Sequence, residues 1–334
     1  MPNMQWLALL ALPSIRHLAE ASYRSVEGEG AAVSMLAEDP DQQAVTLLQR
    51  RAHSIQCPGL SSIPKLVMNL KRRPDRMENL TRTLQRDAPW MLSSLCRVSA
   101  PDGQRFPNEM PAEIVDDNIW QDLVRRRKKG GQITEFERYM VLTFTSSALA
   151  CLLGHALLWE RIAQQSEPWA IVMEDDVGAV HPDLGRFLCA VLDGTVAGLP
   201  RDWEYLQLSH PEKPMSLQEP LRVVHRTSSM ASMYLITREA AAKLARQAIP
   251  VRKKIAVDLP KGLLRDGLQH TYMVESTAAT QAGWKVDGSW SVGEDSDNNA
   301  WLLETQSRGS PTDCAALDAA SMVSPDLLQV LPYT

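Results

Sequence analysis

Short apolar runs alternate with stretches of helical periodicity through the middle of the chain, which predicts an α/β fold with a mostly parallel central sheet. Residues 65–70, Lys-Leu-Val-Met-Asn-Leu, follow the punctuation at Cys57-Pro58-Gly59 and Pro64 and read as a first strand. Met77, Leu80 and Leu84 then fall at helical spacing. A second strand is expected at 96–100, closed by the turn Pro101-Asp102-Gly103. Residues 140–164 read as one long, largely buried helix, with Cys151, His155 and Trp159 on one face. Residues 170–173, behind Pro168, are too short for a helix and suit a buried strand. Pro182 suits the first turn of a helix running to about Leu192. Further strands are expected at 203–208, 232–236 and 272–274, with Thr237 capping a helix over 240–248 that Pro250 ends.

Outside this core the pattern weakens. Residues 1–60 show helical periodicity around 6–19 and 42–51 and read as a helical N-terminal extension; the sheet-forming domain is placed at 61–292. Residues 293–334 turn to Ser, Asp, Asn and Pro and read as a loosely packed or partly disordered tail. The polar stretch 114–132, with Arg125-Arg126-Arg127-Lys128-Lys129 inside it, reads as a solvated loop, or alternatively as a lid over a phosphorylated ligand.

With 334 residues, 44% of them hydrophobic, the chain can bury a substantial core. Its 35 basic and 40 acidic residues give a net charge of −5, which argues against nucleic acid as a partner. The apolar piece 6–12 lacks a preceding Lys or Arg and ends at Pro13, and no run reaches the roughly 20 residues of a membrane span. Gly28-Glu29-Gly30 lacks the strand and third glycine of a dinucleotide fingerprint. The five cysteines are odd in number and widely spaced with no CxxC, indicating neither a zinc site nor a disulfide framework. A reducing, cytoplasmic setting is therefore the expectation, with a secretory lumen as the alternative.

Candidate chemistry concentrates at Glu174-Asp175-Asp176, directly after the apolar run 170–173. Strand alternation points Glu174 and Asp176 one way and Asp175 the other. Three crowded carboxylates call for a cation or several donors, and Mg²⁺ or Mn²⁺ shared with substrate phosphates is the natural partner. A plainer alternative is an acidic strand end or helix start. The basic cluster Lys71-Arg72-Arg73-Pro74-Asp75-Arg76 lies between a strand end and a helix start, where guanidinium groups suit phosphate oxygens, unless it is only a solvated turn. His155 is read first as a hydrogen-bonded core residue that could brace the acidic strand.

These segments, taken in order, resemble glycosyltransferase family 25, which includes bacterial lipooligosaccharide galactosyltransferases and collagen galactosyltransferases. The resemblance rests on residues 68–76, on Ala100-Pro101-Asp102-Gly103, on Cys151, His155 and Trp159, and on Ile171-Val172-Met173-Glu174-Asp175-Asp176-Val177. Residues 199–203 and 234–241, together with Asp258, also match. It covers about 64–291, and departs from the family pattern at Gly154, where serine is usual, and at Ala150, where glycine is usual.

The resemblance implies a GT-A-type, Rossmann-like nucleotide-sugar-binding sandwich that transfers a sugar, most commonly galactose, from a UDP-sugar with inversion. The acceptor would be a hydroxyl on a glycan, a protein or a lipid-linked glycan. Asn69, Arg73, Arg76 and Asp102 would contact the nucleotide, and Glu174 and Asp175 would complete the donor site. Asp176 would ligate Mn²⁺ or Mg²⁺, with Glu174 on the metal's water or the ribose. Asp258 is the first candidate base, ahead of His210 and Asp202. The competing readings are an inactive carbohydrate-binding or scaffold relative and a different metal-dependent enzyme of nucleotides or phosphates.

Overall fold

The computed structural model describes residues 57, 59–128, 145–209, 215–227, 232–252 and 267–281. The expected N-terminal helices, the C-terminal tail, His210 and Asp258 lie outside them.

Nine strands and five α-helices are described. The strands are β1 (Lys65–Asn69), β2 (Leu95–Ser99), β3 (Trp169–Glu174), β4 (Val177–Val180), β5 (Tyr205–Gln207), β6 (Val223–Val224), β7 (Met233–Thr237), β8 (Thr271–Val274) and β9 (Ala279–Gln281). The helices are α1 (Pro74–Asp87), α2 (Asp117–Lys128), α3 (Ser146–Gln164), α4 (Leu184–Leu192) and α5 (Arg238–Ala248). Seven strands form one sheet in the order β2-β1-β3-β7-β5-β8-β6, and β4 pairs with β9 in a separate ribbon. β2, β1, β3, β5 and β8 run one way, while β7 in the centre and β6 at the edge run against them. This is the mostly parallel sheet the sequence leads one to expect.

Side-chain alternation splits β1 and β3 between two cores. Val67, Ile171 and Met173 join Met77, Leu80 and Leu84 of α1 and Leu184 and Leu188 of α4 on one face. Leu66, Met68, Ala170 and Val172 face Trp159 and Ile162 of α3 and Leu244 of α5 on the other. Burial on both faces explains why the β3 sequence is apolar without alternation. Each such Leu or Ile contributes about 1.5–3 kcal/mol by leaving water.

Two sequence expectations are corrected. Asp117–Lys128 is a helix rather than a loop: Ile119, Trp120 and Leu123 share one face and pack into a third cluster with Leu149 and Leu153 of α3. Their helical spacing outweighs the charge run that follows. The cysteines also pair: Cys57 and Cys189 form a disulfide across 132 residues, fastening the chain ahead of β1 to α4, and Cys96 is disulfide-bonded too. Among the described residues no helix is long and apolar enough to cross a membrane.

Candidate functional site at the ends of β1 and β3

The connection from β1 leads to β2 on one side, while the next sheet strand, β3, lies on the other. Such a switch opens a crevice at the carboxyl ends of the two strands, where open α/β sheets bind ligands. Asn69 ends β1, and Glu174-Asp175-Asp176 ends and follows β3. A cleft of about 200 Å³ opens there, lined among others by Arg72, Arg76, Asp102, Cys151 and all three carboxylates. A larger cavity, about 430 Å³, lies at the other end of β3 beside Trp169 and Trp203 and holds none of these groups.

The three carboxylates have different surroundings. Asp175 is buried, accepting from Asn69 Nδ2 at 2.6 Å and from Arg76 Nη1 at 3.2 Å. Burial pushes its carboxyl above the usual carboxylate range, while Arg76 and the Asn69 hydrogen bond pull it back. Glu174 turns toward α3 instead, with Oε1 3.2 Å from His155 Nε2 and 3.7 Å from Cys151 Sγ. Asp176 is half-buried on the cleft wall.

Behind Glu174 runs a buried chain of hydrogen bonds. Trp159 Nε1 donates to Tyr234 Oη at 3.0 Å, and that hydroxyl lies 2.9 Å from His155 Nδ1. Burial holds the Tyr234 phenol well above its ordinary pKa, so it keeps its proton. In the Nε2–H tautomer, Tyr234 accepts from Trp159 and donates to Nδ1, and His155 donates from Nε2 to Glu174. The expectation that His155 braces the acidic strand is met, and Tyr234 is the partner that sequence reasoning missed. Its signal was a hydroxyl-bearing side chain inside the buried run Met233-Tyr-Leu-Ile.

On the basic side, Arg76 reaches the cluster, whereas Arg73 pairs with Asp75 in the first turn of its own helix, with Nε and Nη2 on that carboxylate at 2.9 and 2.8 Å. Asp102 is buried, accepting from Arg72 Nε at 2.8 Å and from the Gln104 backbone N–H at 3.1 Å. Arg72 was read only as part of the basic cluster, not singled out, and Arg97 was missed. The first was one of several arginines in a run, and the second, which donates to Asn69 Oδ1 at 2.8 Å, lies 28 residues away in sequence. Asn69 also donates to the Arg73 carbonyl, so its side chain joins β1, β2, the α1 start and the acidic turn. Asp202 sits elsewhere. It precedes β5, which runs parallel to β3, and so lies at the opposite end of the sheet, 3.6 Å from His270 Nε2.

Gly154 has a local cause. A Cβ there would collide with Met68 Sδ, so the glycine lets α3 lie close on β1.

Comparison with known proteins agrees with this architecture. The family described as glycosyltransferase family 25 (LPS biosynthesis protein) matches residues 62–259. Procollagen galactosyltransferase 2 of Mus musculus and that of Homo sapiens are each 24% identical over 204 residues, covering 58% of this chain. The match takes in 28% of each relative, so the chain corresponds to little more than a quarter of their length. The matched span holds β1, the basic turn, the α3 face and the acidic turn, and on that span the chain belongs to glycosyltransferase family 25.

Proposed function

We propose that this protein transfers a sugar, galactose first among the candidates, from a UDP-sugar to an acceptor hydroxyl, with inversion and dependence on a divalent cation. The observation that carries the reading is the meeting of Glu174 and Asp176 with Arg72, Arg76 and Asp102 in one cleft at the topological switch. The procollagen galactosyltransferases among its relatives suggest the sugar, and the sheet is compatible with a GT-A-type fold. The acceptor class is a glycan, a protein or a lipid-linked glycan.

The donor set suits Mn²⁺ or Mg²⁺. Glu174 and Asp176, both lining the cleft, would supply the oxygen donors, while Asp175 is held by Asn69 and Arg76. Hard divalent ions in phosphate sites are held by one or two carboxylates together with the substrate phosphates. When bound, the cation would neutralise charge gathering on the departing diphosphate.

The chain's own groups divide the remaining work. Arg76 and Arg72 place positive charge beside the diphosphate, and Asp102 orients Arg72 and approaches the nucleotide. Asn69 and Arg73 form the β1–α1 corner on which the nucleotide would rest. His155 holds the Glu174 carboxylate, which would serve the ribose or a metal-bound water. Removal of the acceptor proton is assigned to Asp258, which the family match includes and which lies outside the described residues.

The disulfides favour a secretory-type, oxidising compartment over the cytoplasmic expectation. Incubating the full chain with UDP-galactose, Mn²⁺ and a panel of protein and glycan acceptors, then analysing products by mass, tests the activity. A glycoside is expected. Free galactose alone, or a nucleotide adduct, would contradict it, and an inactive relative would give neither product nor binding.

A further inference from the structure

The face of α3 turned to the cleft carries Cys151 and His155 one helical turn apart, and the end of β3 brings Glu174 against both. One ligand atom from each lies within 4.8 Å of the other two. Two of these separations are 3.2 Å, His155 Nε2 to Glu174 Oε1, and 3.7 Å, Cys151 Sγ to the same oxygen. Tetrahedral zinc, with bonds of about 2.3 Å to sulfur and about 2.0–2.1 Å to nitrogen and oxygen, sets its ligands roughly 3.3–3.6 Å apart. We propose that Cys151, His155 and Glu174 form a three-ligand Zn²⁺ site whose fourth position opens on the cleft, and that Zn²⁺ there takes Glu174 away from the donor site.

Three features support this. An i, i+4 pair on one helix face with a third ligand from a neighbouring element is a recurrent zinc arrangement. His155 has an outer partner, because Tyr234 Oη faces Nδ1 at 2.9 Å and can take that N–H when Nε2 gives its lone pair to a metal. The sulfur selects the ion: thiolate and imidazole favour Zn²⁺ over Mg²⁺ and Mn²⁺, which prefer the carboxylate oxygens of Asp176 and the phosphates. Binding displaces the Cys151 thiol proton to solvent and forms metal bonds to sulfur, nitrogen and oxygen without any redox change. The missing CxxC hid this site, since its ligands come from a helix and a strand 19 residues apart.

Binding rests only on the cluster, whereas the inhibitory consequence rests on the donor-site reading, and the experiment separates them. The full chain, without donor, is titrated with Co²⁺ as a spectroscopic stand-in, then with Zn²⁺, alongside Cys151→Ala and Tyr234→Phe. Expected are tetrahedral d–d bands with a sulfur-to-cobalt charge-transfer band, saturating near one ion per chain and displaced by Zn²⁺. Cys151→Ala should lose the charge-transfer band, and Tyr234→Phe should weaken Zn²⁺ binding by about 10–100-fold. A folded wild type without the sulfur band, or equal Zn²⁺ affinity in Cys151→Ala, would overturn the site. In a second arm, Zn²⁺ should reduce Mn²⁺-dependent UDP binding in the wild type and not in Cys151→Ala. Zinc bound without that effect would overturn the competition while leaving the donor-site reading to its own test.

Discussion

Asn69 Nδ2 donates to Asp175 Oδ2 at 2.6 Å, joining the last residue of β1 to the turn that follows β3. The same amide side chain accepts from Arg97 Nε on β2 and donates to the Arg73 carbonyl at the start of α1. One buried residue therefore sets the relative positions of two strands, a helix and the acidic turn.

Asn69→Ala should remove one of the donors to buried Asp175, which keeps Arg76, and one acceptor of the half-buried Arg97. The expected loss is about 1.5–3 kcal/mol, the range for a hydrogen bond to a charged group. Urea denaturation at neutral pH measures it. A change below about 0.5 kcal/mol, the range of ordinary surface substitutions, would show that the joint does not hold the turn.

Tyr234→Phe removes only a hydroxyl, yet Trp159 Nε1 and His155 Nδ1 both lose their partner. Stability should fall by about 1–3 kcal/mol. The apparent donor KM should change more than with a variant of equal stability cost elsewhere in the core, because the imidazole that orients Glu174 loses its own anchor. Stability loss with donor kinetics unaltered would assign the chain a purely structural role.

Reduction of the Cys57–Cys189 bond frees a link spanning 132 residues. A stability loss of about 2–5 kcal/mol is expected when the native protein is compared with its reduced form. Peptide mapping without reductant should recover the two cysteines in one cross-linked species, and recovering them separately from protein made in an oxidising compartment would contradict the pairing.

Restoring the family's usual serine at position 154 should destabilise this particular chain, because Met68 Sδ already occupies the space a Cβ would take. Overpacking of this kind costs about 1–3 kcal/mol. Combining Gly154→Ser with Met68→Ala should recover part of the loss, and strict additivity of the two changes would argue that they do not share the space.

Much of the sheet was legible because β1 and β3 are buried on both faces and so appear as unbroken apolar runs bounded by breakers. The acidic turn stood out for the opposite reason, as charge placed where such a run stops. What stayed hidden was partnership at long range. Alternation separates Asp175 from its neighbours, but nothing local says that Asn69, 106 residues earlier, receives it. The disulfide is of the same kind, and β6, with two residues, is too short to carry a period. In α2 a local signal was present at Ile119, Trp120 and Leu123 and was outweighed by the basic residues after it.

On the proposed function, the cleft at the ends of β1 and β3 holds a nucleotide diphosphate through a cation on Asp176. Calorimetric titration of the full chain with UDP, in Mn²⁺ and then in EDTA, tests it most directly when repeated on Asp176→Asn. Binding that requires Mn²⁺ and is lost in the folded variant is the expected result. No heat from folded wild-type protein in Mn²⁺, or equal binding by wild type and Asp176→Asn, would contradict it.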